Sequence, residues 1–372
     1  MARAALRRLH RWLGFTVGLW ATVAGLSGSL LVFSDAIDHQ LAPSLRPAAS
    51  ALPDSLAYLD RADAMLAQAY PDRVVQSFRL PRAAGDPLSA RLAGAPVTEV
   101  FIDPTSGTRL GERALYGGVM GVVWDLHVHL LAGETGETIA GVLALALLAA
   151  LLIGLWLWWP RRGGLARALR VRWSAGPRAR LADLHSVGGA LTLPLLLVPI
   201  ITGLMLVFHG PTTSALLHVF GGPDLALPAS LPAPTDLRPR QPLSVLVQAG
   251  DAALPDARPV SISLPESANL PVIVRQRFPD NSHPNGRSFV AVDPRTAEVL
   301  HSHSWREAGT GLRIADFKYP LHIGEAFGLP GRLLVLATGL LPLALLITGG
   351  WLWWRKRKAG RAPLRRSASS PS

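Results

Sequence analysis

Four uncharged, apolar runs of about 22 residues each determine the architecture of this sequence. A helix rises 1.5 Å per residue, so about 20 residues cross a hydrocarbon core roughly 30 Å thick. Within lipid, a helix also satisfies its backbone hydrogen bonds inside its own segment. The sequence therefore predicts a membrane α-helical protein with four transmembrane helices. The runs are residues 12–33, 138–159, 187–208 and 333–354.

Composition supports the membrane assignment and excludes several kinds of chemistry. Hydrophobic residues make up 49% of the 372 residues and charged residues only 17%, against about 25% in an ordinary soluble domain. The absence of cysteine excludes disulfides, thiolate metal sites, iron–sulfur clusters, cysteine nucleophiles and the covalent attachment of c-type haem.

The net charge of +12 comes from basic residues placed beside the apolar runs. Segments 1–11, 161–180 and 355–372 hold 18 of the 37 Lys and Arg residues and no acid. Cytoplasmic loops of membrane proteins carry this excess of Lys and Arg. The basicity therefore indicates topology, with both termini in the cytoplasm, and nucleic-acid binding is the weaker interpretation.

Two long stretches between the spans are predicted to be small α+β modules on the opposite side of the membrane. Each contains an amphipathic helix, at residues 55–70 and 244–253, followed by strand-like runs. The predicted strands are residues 74–80, 98–102, 260–264, 271–276 and 288–292.

The predicted organisation alternates cytoplasmic segments, spans and outer modules. In chain order it comprises a cytoplasmic N-terminus (1–11), transmembrane helix 1 (12–33), outer module 1 (34–125), transmembrane helix 2 with an outer histidine segment (126–160), a basic cytoplasmic loop (161–184), transmembrane helix 3 (185–208), outer module 2 (209–320), transmembrane helix 4 with an outer histidine segment (321–354) and a basic cytoplasmic tail (355–372).

The two halves of the chain repeat one another. A unit of histidine, span, module, histidine and span occurs twice in the same orientation, which predicts two parallel repeats about an axis along the membrane normal. The matched residues are Leu9-His10 and Gly14 with Leu184-His185 and Gly189 at an offset of 175, and Leu126-His127 and Trp156-Leu157-Trp158-Trp159 with Leu321-His322 and Trp351-Leu352-Trp353-Trp354 at an offset of 195.

The repeat produces two pairs of equivalent histidines, each a candidate pair of haem ligands. His10 and His185 lie at the cytoplasmic starts of spans one and three, and His127 and His322 at the outer starts of spans two and four. Two imidazoles on opposite sides of a macrocycle are what a six-coordinate b-type haem needs. The alternative is that each histidine is an interfacial hydrogen-bonding residue.

Two glycines support the haem interpretation. Gly14 and Gly189 follow His10 and His185 by four residues and so share their helix faces, where a residue without a side chain leaves room for a porphyrin. The alternative role for such glycines is close helix packing.

Other histidines leave alternatives open. His129 and His209 also lie near the outer face, where either is able to replace or assist an outer ligand. His301 and His303 alternate on a strand-like segment and share one face, which is either a metal or iron-complex site or a solvated strand surface.

In their order and spacing, several short motifs resemble the PepSY-associated transmembrane family over nearly the whole chain. The resemblance implies a bacterial inner-membrane protein with PepSY modules facing the periplasm. It also implies a link to iron-regulated, haem-containing reductases that release iron from ferric siderophores, with ligand roles for His10, His185, His127 and His322. The motifs are Arg8-Leu9-His10-Arg11-Trp12-Leu13-Gly14, Ser27-Gly28, Leu126-His127, Leu184-His185, Leu321-His322-Ile323-Gly324 and the two Trp-Leu-Trp-Trp ends.

The leading hypothesis is a di-haem b electron-transfer protein in the lipid bilayer that reduces a ferric siderophore or another periplasmic substrate. No residue is assigned a catalytic role. No dinucleotide-binding motif opens a strand–turn–helix unit, so the electron donor is a membrane quinol or a separate cytoplasmic reductase. The alternatives are a membrane-anchored PepSY regulator or inhibitor of periplasmic peptidases, without a redox cofactor, and a transporter component.

Overall fold

A computed structural model describes residues 2–47, 52–160, 164–222, 239–265, 267 and 270–360. Residues 161–163 of the predicted basic loop and residues 361–372 of the predicted basic tail lie outside these ranges. The chain forms two compact units. The helical unit comprises Met1–Leu30, His127–Val207 and Leu334–Ser372, and the sheet unit comprises Leu31–Leu126 and Phe208–Leu333.

The described residues form eleven α-helices and three short 3-10 helices, the latter at Pro43–Leu45, Trp305–Glu307 and Glu325–Phe327. In chain order the α-helices are α1 (Ala2–Leu31), α2 (Ser34–Leu41), α3 (Ala57–Ala69), α4 (Gly118–His129), α5 (Gly133–Trp158), α6 (Leu165–Ala168), α7 (Pro177–Val207), α8 (His209–Phe220), α9 (Leu243–Ala253), α10 (Thr310–His322) and α11 (Gly328–Gly360).

The prediction of four membrane-spanning helices is confirmed. Helices α1, α5 and α7, together with the segment Glu325–Arg357 that contains most of α11, are long and apolar enough to cross a membrane. They begin before the predicted apolar runs, because the polar N-terminal flanks also favour helix, whereas α1, α5 and α7 end one or two residues before the runs do. Helix α1 begins in an Ala-, Leu- and Arg-rich segment of high helix propensity. Proline inside α7 and α11 is tolerated because membrane helices satisfy the freed backbone groups locally or through neighbouring helices.

Within the helical unit, α1 and α11 touch backbone to backbone. A Cβ atom added at Gly25 would overlap the carbonyl group of Gly339, and one added at Gly339 would overlap that of Gly25. Ser29, one turn along α1, donates a hydrogen bond to the Leu336 carbonyl oxygen at 2.9 Å. Small residues permit this close approach, which is how helices associate in lipid.

The sheet unit contains eight strands in one antiparallel sheet, in the order β4-β3-β2-β1-β5-β6-β7-β8. The strands are β1 (Val75–Arg79), β2 (Leu88–Leu92), β3 (Thr98–Ile102), β4 (Arg109–Ala114), β5 (Arg258–Ser263), β6 (Val272–Arg277), β7 (Ser288–Val292) and β8 (Val299–His303).

The two stretches predicted as separate modules share this sheet. Each contributes one helix and four consecutive strands, and their first strands, β1 and β5, pair at the centre with Phe78 opposite Ile262. Helices α3 and α9 bury Leu59 and Leu246 in one hydrophobic cluster that also contains Phe78 and Ile262. Pairing the two first strands removes an exposed edge from each module.

The Gly25–Gly339 crossing predicts a large effect of one methyl group. Gly25→Ala or Gly339→Ala is expected to lower stability by about 1–3 kcal/mol, because the added Cβ atom forces α1 and α11 apart. The thermal unfolding midpoint of the detergent-purified protein measures the effect. Gly188→Ala in α7, where a Cβ atom would meet no atom within 4 Å, is the matched control. Equal midpoints for all three variants would contradict the assigned contact.

Candidate functional site

The structure brings the two predicted inner histidines together. His10 on α1 and His185 on α7 have ring centroids 6.4 Å apart, with their planes at 66°. A transition metal binds an imidazole nitrogen at about 2 Å, and that nitrogen lies about 1.1 Å from the ring centre, so two opposed axial imidazoles have centroids about 6.2 Å apart. Rotation about the ligand axis leaves the angle between the planes free. The centroid separation of His10 and His185 is therefore close to that of two imidazoles that would hold one iron.

Hydrogen bonds define the tautomer of both rings. His10 Nδ1 lies 2.9 Å from the Ala150 carbonyl oxygen, which only accepts, so Nδ1 carries the proton. His185 Nδ1 lies 2.9 Å from Thr348 Oγ1. That hydroxyl donates its own proton to the Ala344 carbonyl oxygen at 2.8 Å, so it accepts from His185. Each Nε2 therefore holds the lone pair that a metal requires, as in metal-binding histidines whose other nitrogen donates to the protein.

Each inner imidazole packs against a glycine of a neighbouring helix. A Cβ atom at Gly154 of α5 would lie 2.8 Å from His10 Cε1, and one at Gly349 of α11 would lie 3.1 Å from His185 Cε1. Sequence reasoning missed both glycines. The signal was present, because both precede a Trp-Leu-Trp-Trp motif by two residues and are related by the repeat offset of 195.

The two predicted glycines next to the pair differ in their surroundings. A Cβ atom at Gly14 would meet no atom within 4 Å, and one at Gly189 would meet Leu345 Cδ2 at 3.7 Å. The role of Gly14 and Gly189 in binding a macrocycle stays a prediction.

His127 on α4 repeats the pattern of the inner histidines. Its Nδ1 donates to the Ala24 carbonyl oxygen at 3.0 Å and lies 3.1 Å from Ser27 Oγ. The Ser27 hydroxyl donates to the Val23 carbonyl oxygen at 2.8 Å, so it too accepts from His127. A Cβ atom at Gly28 would lie 2.9 Å from His127 Cε1. Three of the four predicted ligands therefore share a bound Nδ1–H and a glycine contact.

The fourth predicted ligand, His322, is half-buried at the end of α10 in the sheet unit. His127 belongs to the other, helical unit. Their pairing therefore stays a prediction. His129, the last residue of α4, also belongs to the helical unit, and its suggested role as a substitute ligand is likewise untested.

The surroundings of His209 make it a poor iron ligand. Lys318 Nζ donates to His209 Nδ1 at 2.7 Å, which places the proton of the neutral ring on Nε2. Burial and the neighbouring ammonium group lower the pKa of His209. Burial also lowers the pKa of Lys318, to about 8. One ring nitrogen of His209 therefore accepts from the Lys318 ammonium group and the other carries the proton, so neither offers a lone pair to iron.

His301 and His303 lie on β8, as their alternation predicted, and pack near one aromatic ring. Their centroids lie 5.8 and 5.4 Å from that of Phe289. Among the described residues, no group of three or more His, Asp or Glu side chains is arranged to hold a metal ion. A haem iron needs only two protein ligands, so the inner pair does not depend on such a group.

Comparison with known proteins identifies the family of the chain. Residues 7–356 match the family described as the PepSY-associated TM region, which confirms the resemblance drawn from the motifs. No curated protein matches the chain. The match covers most of the sequence and agrees with the four helices able to cross a membrane. The chain is therefore a multi-pass membrane protein that belongs to the PepSY-associated transmembrane family.

Proposed function

We propose that this chain is a bacterial inner-membrane electron-transfer protein that binds two b-type haems and reduces a periplasmic ferric siderophore. The observation that carries the proposal is the His10–His185 pair, with its 6.4 Å centroid separation and its two bound Nδ1–H groups. His10 and His185 hold the inner haem in this proposal, and His127 and His322 hold the outer one. A b-type haem supplies reversible one-electron transfer.

The residues around the inner pair orient and tune the two ligands. The Ala150 carbonyl and the Thr348 hydroxyl fix the orientation of the rings and raise the basicity of the opposite nitrogens. The two acceptors differ, because one is a backbone carbonyl oxygen and the other a side-chain hydroxyl oxygen. Gly154 and Gly349 allow both rings to pack closely against α5 and α11.

The proposed direction of reduction follows from charge and coordination chemistry. The basic segments support cytoplasmic termini through the positive-inside rule, and in this proposal the sheet unit faces the periplasm. One electron converts Fe(III) to Fe(II), which the hard oxygen ligands of a siderophore bind more weakly. The electron comes from a membrane quinol or a separate cytoplasmic reductase. The competing role, a PepSY regulator of peptidases, requires no chromophore.

Haem content tests the proposal. We expect a reduced-minus-oxidised absorbance spectrum typical of b-type haem, and two haems per chain by the pyridine haemochrome assay. His10→Ala and His185→Ala should each remove the same single haem, because both residues bind one iron. His39→Ala is the matched control, since His39 is exposed on α2. Protein produced with adequate haem supply that contains no haem would refute the proposal and favour the peptidase regulator.

The Thr348 hydroxyl is predicted to contribute to haem binding. Thr348→Val removes the acceptor of the His185 Nδ1–H group, and loss of such a supporting hydrogen bond weakens binding about 10–100-fold. Titration of haem into the apoprotein measures the affinity. Thr192→Val in α7 is the control, because its hydroxyl donates to Gly188 within its own helix. Equal haem affinities in the two variants would contradict a role for Thr348 in supporting a ligand.

A further inference from the structure

The face of the sheet opposite α3 and α9 is polar. Core residues such as Phe78 and Ile262 alternate along β1 and β5 with residues on the other face. Register places these polar residues side by side across the four central strands. One row across β2, β1, β5 and β6 is Ser89, Arg79, Ser261 and Arg275, and the next row includes Arg91, Ser77 and Ser263.

A groove of about 290 Å³ lies over these rows. Its lining includes four arginines, Arg79, Arg82, Arg91 and Arg275, and one carboxylate, Glu99. The Glu99 carboxylate accepts a hydrogen bond from Ser89. It also lies 3.8 Å from the Nε atom of Arg113, a residue that is not part of the groove lining. The groove is therefore strongly positive and has serine hydroxyls beside its guanidinium groups.

Most of the groove arginines are without a protein partner. Within the described ranges, the side chains of Arg79, Arg91 and Arg275 make no hydrogen bond or ion pair with the protein. Arg82 donates to the Asn285 side-chain oxygen at 2.6 Å. By contrast, Arg113 on the same sheet pairs with Asp38 at 2.9 Å. Unpaired guanidinium groups that converge on one groove are suited to binding oxyanions.

Repulsion among neighbouring arginines also favours the binding of an anion in the groove. Burial and the neighbouring Arg79 lower the pKa of Arg82. Burial and the neighbouring Arg287 lower the pKa of Arg275, against the opposite effect of the Asp316 carboxylate. A bound anion would relieve the repulsion that these groups experience.

We propose that this groove binds a small polyanion bearing carboxylate groups, and, on the basis of the proposed function, that the substrate is an anionic ferric chelate rather than a cationic one. Arg79 and Arg275, on β1 and β6, lie on either side of Ser261 in the same cross-sheet row and contact the carboxylates. Arg82 and Arg91 complete the positive lining. The volume suits a small ligand.

The groove lies near the helix that carries one predicted outer ligand. Burial raises the pKa of Tyr319 on α10, and the positive charges of Arg79 and Arg82 oppose this increase. His322 follows Tyr319 by three residues and so lies on a neighbouring part of the same helix. An anionic chelate in the groove would therefore be held beside α10, within the sheet unit.

Binding of a redox-inert chelate to the full-length, detergent-purified protein tests this proposal. The probe is gallium(III) citrate, measured by isothermal titration calorimetry at low ionic strength, with a cationic gallium trihydroxamate and inorganic phosphate as comparison probes. We expect binding of the citrate complex in preference to both. Arg79→Gln and Arg275→Gln should each weaken binding about tenfold, since each removes a charge-assisted hydrogen bond.

Arg258→Gln is the matched control, because Arg258 is exposed at the start of β5 outside the groove lining. Unchanged binding in both groove variants, or equal binding of the cationic chelate, would overturn the proposal. Equal binding of inorganic phosphate would reduce the groove to a simple oxyanion site and overturn the assigned substrate class.

The absorbance spectrum of the same preparations separates this proposal from the proposed function. Selective citrate binding by protein without haem would leave the anion site standing and refute the reductase. Protein with haem but without citrate binding would refute the anion site alone.

Discussion

The structure of the helical unit depends on the hydrogen-bonding requirement of imidazoles placed among membrane helices. A neutral histidine has one N–H and one lone pair, and leaving either unsatisfied in an apolar setting is costly. His10 and His185 both donate Nδ1–H to the protein and direct the remaining lone pair elsewhere. Their ring centroids are 6.4 Å apart. The glycines on α5 and α11 and the tight crossing of α1 with α11 are the packing features that accompany this arrangement.

Each unit joins the first half of the chain to the second. In the helical unit, His10 approaches His185, and α1 packs on α11. In the sheet unit, β1 pairs with β5, so two sets of four strands form one sheet over one hydrophobic core. Both proposed sites lie along these junctions: the inner haem between α1 and α7, and the anion groove across β1 and β5. Each proposed site therefore uses residues from both halves of the chain.

Local patterns predicted the features that have local causes. The apolar runs identified four spans, and strands 98–102 and 288–292 were predicted with the bounds that the structure has. Strands β2 and β4 were missed because polar residues interrupt their patterns and pairing with neighbours holds them, whereas the alternation of His301 and His303 indicated β8. The shared sheet, the arginine groove and the contacts of Gly154 and Gly349 depend on which distant segments meet. Which strands pair, and which helix a given helix face contacts, depend on residues that are far apart in the chain.

The most direct test of the central claim is electron paramagnetic resonance of the oxidised protein, because the spin state of ferric haem reports its axial ligands. If His10 and His185 bind one iron, the wild-type protein will show a low-spin signal typical of two imidazoles. The His185→Gly variant will show a high-spin component that added imidazole converts back to low spin. A wild-type protein with five-coordinate, high-spin haem, or a His185→Gly variant with an unchanged spectrum, would contradict the account.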